Sequence, residues 1–249
     1  MRQGDIVQKI SIAGFSYARI LTSGISLEEA EGLKKKFRYL HVYSYARAHI
    51  LWCKERVQRT ALIDLNQGVD DIFKKYSDTC KKHIRRGEKN ADLKIVSEDK
   101  DSDASYRLYR EVKKEEGAKP DIKKEFDNCL FFNAYYNGRM IVTMSFYDNG
   151  EYIRAKHTAS LRREMGERAK VSAHASRMLI WEMCKWGKRN NRKFFDLAGL
   201  NLDDPSKKGI VEFKRSFGGD EMDIYMYRYA TPAFSALKRV INLFGKNIN

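Results

Sequence analysis

The chain has few cysteines, and they do not form the motifs that bind structural metals. Cys53, Cys80, Cys129 and Cys184 are widely spaced, and no two of them make a Cys-x-x-Cys pair. Cys80 and His83 form a single Cys-x-x-His, which falls short of the four ligands of a structural zinc site. We therefore predict four reduced thiols and no bound metal, as expected in a cytosolic protein.

The sequence also lacks a long apolar run. No stretch approaches the roughly 20 apolar residues that a membrane-spanning helix requires. The first residues, Met1–Asp5, are not followed by the apolar segment of a secretory signal. These features predict a cytoplasmic protein, and they leave open a peripheral position at the inner face of the membrane.

Positive charge is what the chain has in excess. Its 48 Lys and Arg outnumber 33 Asp and Glu, which gives a formal net charge of +15 over 249 residues. This balance favours an anionic partner, such as a nucleic acid, a phosphorylated substrate or an anionic lipid surface. With 43% hydrophobic and 12% aromatic residues, the composition supports a packed core and excludes a disordered chain.

Short strands and amphipathic helices alternate through the first half. The patterns predict strands at 6–12, 17–21, 61–65 and 93–96 and helices at 27–39, 70–89 and 103–116, whereas 43–52 fits either type. The helix at 70–89 ends in a basic cluster: Lys81, Lys82, His83, Arg85, Arg86 and Lys89. Cations suit a helix C-terminus, but this density exceeds what the helix dipole requires and also indicates contact with phosphate or RNA.

A three-strand meander is the clearest antiparallel signal in the second half. Its strands are predicted at 130–136, 140–147 and 152–158, joined by hairpin turns at Asn137-Gly138 and Asp148-Asn149-Gly150. A short helix at 122–128 precedes it, and a long helix capped by Ser172 follows at 173–188. The remaining predictions are strands at 194–197 and 223–229 and a terminal helix after Pro232, which either packs on the core or lies on a membrane surface.

The segment from Phe213 to Gly219 carries a distinctive pattern. Phe213 and Phe217 lie four residues apart, on one helical face, and Lys214 would point about 100° away from them. Gly218 and Gly219 would end the helix, since glycine readily takes the left-handed conformation. Lys214 is either one more solvated lysine or a cation placed to stabilise a developing negative charge.

The order of these elements and five motifs resemble the Fem-type transferases. These enzymes build cross-bridges on peptidoglycan precursors; with the related acetyltransferase-like proteins of polysaccharide loci, they belong to the GNAT-like superfamily. The match covers about 60–229. Its motifs are Thr-Ala-Leu-Ile-Asp-Leu at 60–65, Lys-His-Ile-Arg-Arg-Gly-Glu-Lys at 82–89, Trp-Glu-Met-Cys-Lys-Trp-Gly at 181–187, Phe-Asp-Leu-Ala-Gly at 195–199 and Phe-Lys-Arg-Ser-Phe-Gly-Gly at 213–219.

The resemblance implies an α/β (α+β) fold with a GNAT-like mixed, mostly antiparallel sheet flanked by helices. Family members usually carry two such domains, but residues 1–65 are too short for a full copy. The implied organisation is a trimmed N-terminal subdomain at 1–65, one full transferase domain at 66–230 and an amphipathic helix at 231–249. The tRNA-associated helical arm has no room, and the acyl-CoA signature Q/R-x-x-G-x-G/A is only half present, at Arg163–Arg168.

The implied activity is N-acyl transfer to an amine of a cell-wall or polysaccharide precursor. The motif lysine of the family, Lys214 here, would stabilise the developing oxyanion, and Phe213 would fix the backbone and exclude water. Asp196 is either a base or a cap for the turn that follows it. No cofactor is expected to be bound; the donor, acyl-CoA or aminoacyl-tRNA, stays open, as does the acceptor.

The remaining candidate residues would hold the substrate, a phosphorylated or nucleotide-linked precursor or a tRNA. Positively charged candidates for phosphate contacts are Arg85, Arg86, Lys89, Lys119 and Arg215. Tyr152 and His157 lie on the meander, where they line an acceptor cleft or pack in the core. The alternative from another functional class is a non-catalytic nucleic-acid-binding or scaffold protein on a GNAT-like fold.

Overall fold

Ten strands form one continuous sheet in the computed structural model, which describes residues 5–161 and 169–243. In chain order they are β1 (Ile6–Ile12), β2 (Phe15–Thr22), β3 (Tyr39–Ser44), β4 (Lys54–Asp64), β5 (Leu93–Val96), β6 (Leu130–Tyr136), β7 (Arg139–Asp148), β8 (Tyr152–Ser160), β9 (Phe194–Gly199) and β10 (Asp220–Ala230). Their order across the sheet is β1-β2-β3-β10-β4-β9-β8-β7-β6-β5. The pairs β2–β3 and β8–β9 are parallel and the other seven are antiparallel, as the predicted fold class requires.

Helices cover both faces of this sheet. They are α1 (Leu27–Lys36), α2 (Val69–Lys74), α3 (Asp78–Glu88), α4 (Ser102–Glu115), α5 (Ala169–Arg189), α6 (Lys208–Arg215) and α7 (Pro232–Leu243), with short 3-10 turns at Lys123–Phe126 and Pro205–Lys207. The largest core lies between the strands numbered β4 to β9 and the layer of α2, α3 and α5. It surrounds the fully buried residues Phe132, Phe195 and Leu179. Aliphatic and aromatic burial on this scale supplies most of the free energy that holds the layers together.

The two ends of the chain interlock in the middle of the sheet. β10 pairs with β3 on one side and with β4 on the other, and β4 continues onto β9. Strands from 1–65 are thus joined to each other through a strand from 66–230. Strand pairing therefore crosses the predicted boundary at residue 65. That the two segments are separate domains stays a prediction.

The terminal helix packs on the protein, as one of the two sequence interpretations holds. Phe234 in α7 is fully buried, and its ring stacks on Tyr39 with centroids 4.9 Å apart. Leu237 and Ile241 pack against the same cluster. The predicted residues Phe244 and Lys246 of this helix lie outside the described residues.

Several predicted helix bounds are wrong for local reasons. The helix at 70–89 is two helices, because Ser77 takes an extended conformation and its hydroxyl caps α3 by accepting from Cys80 N. The helix at 27–39 ends at Lys36, since Phe37 is extended and Tyr39 already begins β3. Ser172 does not cap α5: the helix is already formed at Ala169, and Ser172 is buried within it.

The first of the two glycines that end the segment from Phe213 to Gly219 is required by the backbone. Gly218 has φ +62°, and a Cβ there would meet the carbonyl of Lys75, whose own Cβ would be 2.8 Å away. We therefore expect Gly218→Ala to lower the free energy of unfolding by at least about 1–2 kcal/mol.

Chemical denaturation measures this change, and Gly32→Ala is the matched control. Gly32 is an exposed glycine in α1 with open space at its Cβ position. Alanine is the better helix former, so that control should be neutral or stabilising. Equal effects of the two substitutions would contradict the assigned backbone constraint.

Candidate active site

The site begins where two parallel strands separate. β8 and β9 pair over only three positions, Tyr152 with Phe194, Ile153 with Phe195 and Arg154 with Asp196. Beyond this point β8 continues along β7, and β9 continues along β4. A gap therefore opens in the sheet between the two strands, with Arg154 and Asp196 at its closed end.

Asp196 holds this closed end together. Its carboxylate is fully buried and pairs with the guanidinium of Arg154 and the hydroxyl of Thr60. It also accepts from Tyr45 Oη and from the backbone N–H of Ala198, both at 2.7 Å. Because these partners occupy its acceptor positions, Asp196 is better suited to act as a fixed negative charge than as a base. The bond from Ala198 N is the turn cap that formed the alternative interpretation.

Aromatic rings enclose the ion pair. The guanidinium of Arg154 lies 4.4 Å from the ring centroid of Tyr43, and Tyr45 stacks on Tyr152 at 4.3 Å. Burial, together with the nearby charge of Asp196, raises the pKa of Tyr45 well above its usual value. Tyr45 therefore remains a hydrogen-bond donor, and Tyr152 serves as a packing partner that is itself buried.

Lys214 sits where β9 is no longer covered by β8. Its Nζ donates to the backbone oxygens of Ala198 at 3.1 Å and Gly199 at 2.8 Å. An ammonium group has three N–H donors, so these two bonds, the ones it makes within the described residues, leave one for a ligand. The lysine is half-buried, and α6 and the β9 backbone fix its position.

Burial also changes the acidity of this lysine. It lowers the pKa of Lys214 from 10.5 to about 8; the negative charge of Asp196 opposes this effect, and Arg154 adds to it. The ammonium form still predominates near neutral pH. The site thus presents one desolvated cation with a donor to spare beside an opening in the sheet.

The lowered pKa predicts how stability depends on pH. Between about 8 and 10.5 the unfolded chain binds the proton that folded Lys214 has lost, so the free energy of unfolding rises with pH. The measurement is the difference in unfolding free energy between the wild type and Lys214→Met, in which the other titrating groups cancel. This difference should shift in favour of the wild type across that window; a constant difference would contradict the lowered pKa.

Phe213 anchors the helix that carries Lys214. Its ring packs edge-to-face against Phe217 with centroids 5.1 Å apart, and the guanidinium of Arg177 lies 5.1 Å from its centroid. The two phenylalanines are therefore in contact, as predicted from their shared helical face, although α6 ends at Arg215, before Phe217. The role of Phe213 in excluding water stays a prediction.

The predicted phosphate-binding residues lie on separate surfaces. Arg85, Arg86 and Lys89 form an exposed basic ridge along α3 together with Lys81 and Lys82. Within the described residues, the structure shows no contact of this ridge with Lys214 or Asp196. The ridge is therefore an anion-binding candidate that is distinct from the gap.

Two other candidates lie in a second cleft, between α4 and β8. Lys119 is exposed and donates to Asn242 O at 2.9 Å. His157 is 4% exposed and is hydrogen-bonded through Nδ1 to Ser145 and through Nε2 to Asp121. Burial lowers the pKa of His157 to about 3, so the ring is neutral. This environment favours the packing interpretation for His157.

Arg215 turns away from Lys214, into an exposed ion pair with Glu221 at 2.6 Å.

The sequence interpretation missed Arg154, Thr60 and Tyr45. Only Arg154 left a signal in the sequence, since it is a basic residue two positions after Tyr152 in the third strand of the meander. Thr60 and Tyr45 reach Asp196 from strands or loops more than 130 residues away in sequence.

Metal ligands do not cluster in the described part of the chain, where no group of three His, Cys, Asp or Glu residues is placed to hold an ion. None of the helices built from those residues is long and apolar enough to cross a membrane. The half signature for acyl-CoA at Arg163–Arg168 falls outside the residues that the structure describes.

The chain matches no protein-family model and no curated protein sequence. Solved structures nevertheless share its fold. FemX superposes with a TM-score of 0.60 at 10% identity, over 94% of this chain and 85% of FemX. The C-terminal domain of a candidate lysylphosphatidylglycerol synthetase from Agrobacterium fabrum gives a TM-score of 0.56 at 11% identity, covering 95% and 88% of the two chains.

A candidate GNAT-family acetyltransferase from Novosphingobium aromaticivorans also matches. Its TM-score is 0.50 at 10% identity, over 90% of this chain and 91% of that one. At such low identity these likenesses establish the fold. The chain therefore has the fold of FemX and of the GNAT-type transferases, which confirms the resemblance inferred from the order of its motifs at the level of the fold.

Proposed function

We propose that this protein is an N-acyltransferase that moves an acyl or aminoacyl group onto an amine of a cell-wall or polysaccharide precursor. The observation that carries the proposal is the setting of Lys214. Its ammonium group is desolvated, is held by two backbone carbonyls and retains one N–H beside the gap between β8 and β9. A transferase-type fold around such a group supports acyl transfer over simple binding.

The reaction proceeds by attack of a neutral amine on the carbonyl carbon of an ester or thioester. As the new C–N bond forms, negative charge gathers on the carbonyl oxygen, and the remaining N–H of Lys214 donates to that oxygen. One preorganised donor of this kind contributes roughly 3–4 kcal/mol to the transition state. Collapse of the intermediate expels the alkoxide or thiolate, which takes up the proton that the amine releases.

The proton has no clear acceptor on the protein among the described residues. Asp196 is committed to Arg154, Thr60, Tyr45 and Ala198, and so its contribution is to fix the closed end of the gap. A carboxylate or phosphate carried by the substrate itself can relay this proton from the attacking amine to the leaving group. This route agrees with the anionic substrate that the net charge of +15 favours.

The basic ridge on α3 suits a phosphate-rich donor or acceptor. Aminoacyl-tRNA and acyl-CoA both carry phosphates, and so does a nucleotide-linked precursor. One structural relative is named as a lysylphosphatidylglycerol synthetase, so an anionic lipid is also worth testing as a partner that binds this ridge. We place the protein in the cytoplasm, with peripheral contact at the inner face of the membrane as part of the proposal.

A donor screen tests the function directly. Purified protein is incubated with acetyl-CoA or charged tRNA and a panel of amines on nucleotide-linked and lipid-linked precursors, while native mass spectrometry identifies any co-purified ligand. Transfer to one acceptor class supports the proposal. Steeply salt-dependent RNA binding without transfer to any amine would support the alternative, a nucleic-acid-binding protein on this fold.

A further inference from the structure

The side of β4 that faces β9 is unpaired along the first half of the strand. β10 pairs with β4 from Lys54 to Leu62, whereas β9 covers β4 only from Thr60 onward. The open half lies in the middle of the sheet order, where a strand ordinarily has neighbours on both sides. Such an edge presents backbone donors and acceptors that can pair with another extended segment.

The groups facing this open side belong to Glu55 and Val57. Arg59 O accepts from Leu200 N on that side at 2.7 Å. Since alternate residues of an antiparallel strand turn their N–H and C=O to the same side, Glu55 and Val57 face it too. Within residues 5–161 and 169–243, these backbone groups have no hydrogen-bonding partner there. Two donors and two acceptors therefore repeat at a spacing of roughly 7 Å.

A groove of about 460 Å³ runs along this edge. One wall is β4 from Arg56 to Arg59, and the other is the segment 200–204 that follows β9. Val57 and Leu202, on opposite walls, keep 46% and 49% of their surfaces exposed. The volume suits a few residues of extended chain, and the two apolar side chains can hold an apolar group between them.

The groove ends where Leu200 N donates to Arg59 O, and the next residue back along the chain is Gly199. The side-chain amide of Gln58 lies where a Cβ at residue 199 would stand, so a larger residue there would have to displace Gln58. The carbonyl of Gly199 is the one that Lys214 holds at 2.8 Å. A segment bound in the groove would therefore bring one of its ends close to Lys214.

We propose that an extended peptide binds along the open edge of β4 as an added strand. Its backbone pairs with Glu55 and Val57, an apolar side chain contacts Val57 and Leu202, and its end reaches Leu200, the residue after Gly199. An amine at that end is the acceptor of the transfer proposed above. That last step rests on the proposed function, whereas peptide binding itself does not.

Binding is tested without any acyl donor, by adding tetrapeptides of alternating Ala and Leu to isotope-labelled protein. The amide N–H groups of Glu55 and Val57 should shift in the NMR spectrum and exchange with solvent more slowly. Those of Arg56 and Gln58, which face β10, should change little. Methylating a peptide nitrogen that faces β4 should weaken binding about tenfold, because one hydrogen bond is lost, whereas methylating its neighbour should not.

The protein side is tested with Val57→Pro, and Val57→Ala is its matched control. Proline removes the N–H that faces the groove and leaves the pairing with β10 intact, whereas alanine keeps that N–H. We expect at least about tenfold weaker binding for proline than for alanine. Should Val57→Pro fail to fold, the methylated peptides decide the question on the wild type.

Three results would overturn the proposal: no peptide binding, equal affinity for all methylated peptides, or protection of Val57 that depends on protein concentration. The last would mean that two copies pair through this edge. Peptide binding without acyl transfer would support the groove as a peptide-binding site and contradict the proposed function. Transfer to amines without peptide binding would do the reverse.

Discussion

Replacing Lys214 with alanine should lower the rate of the proposed acyl transfer by about 10²–10³-fold. The lysine donates two N–H groups to Ala198 and Gly199, and in the proposed reaction its third is the donor that meets the developing oxyanion. Because that contact strengthens only as charge develops, the loss appears in kcat more than in KM. Steady-state kinetics with the donor and acceptor found in the screen measure both constants.

Lys208→Ala is the matched control for this substitution. Lys208 lies on the same helix but is exposed, and its nearest acidic partner is Glu212 at 4.0 Å. Its replacement removes a positive charge and leaves the gap unchanged, so turnover should stay close to that of the wild type. A Lys214→Ala protein that melts like the wild type and keeps full turnover would remove Lys214 from the mechanism.

Asp196→Asn is the substitution with the largest expected effect on stability, a loss of about 3–5 kcal/mol in the free energy of unfolding. The side chain of Arg154 is 5% exposed, and Asp196 is the carboxylate that neutralises it. The amide would leave that guanidinium charged and buried without an anion, and it would place an N–H₂ where acceptors are needed. Denaturation with urea, followed by fluorescence, measures the change.

A comparison with an exposed ion pair isolates the effect of burial. Asp223 pairs with Arg59 at 3.1 Å, with side chains 46% and 42% exposed. Asp223→Asn should cost less than about 1 kcal/mol, since solvent screens such pairs. If Asp196→Asn cost no more than Asp223→Asn, the buried pair would not be what holds the closed end of the gap.

Local patterns in the sequence were sufficient for much of the sheet. The strands at 6–12, 93–96 and 130–136 have the predicted bounds, because alternating side chains and glycine-containing turns act over a few residues. In the hairpin between β6 and β7, Asn137 and Gly138 both have positive φ, as the predicted turn requires. Gly218 likewise takes the left-handed conformation predicted for the end of the lysine-bearing motif.

The candidate site could be predicted only in part, because its contacts join distant segments. The motif pattern singled out Lys214 and Asp196, but the partners Tyr45, Thr60 and Arg154 come from three other elements. Which of them meet is decided by strand order, and the insertion of β10 between β3 and β4 leaves no local pattern. The assigned catalytic roles stay predictions until activity is measured.

The position of β10 also determines when the sheet can be completed during synthesis of the protein. Asp220–Ala230 is the last in chain order of the strands that the structure describes, yet it lies inside the sheet between β3 and β4. Until it arrives, β3 and β4 each expose an edge that β10 later covers, and exposed edges are where chains aggregate. Completion of the sheet therefore waits until β10 has been made, long after β3 and β4, and such long-range pairing makes folding slow.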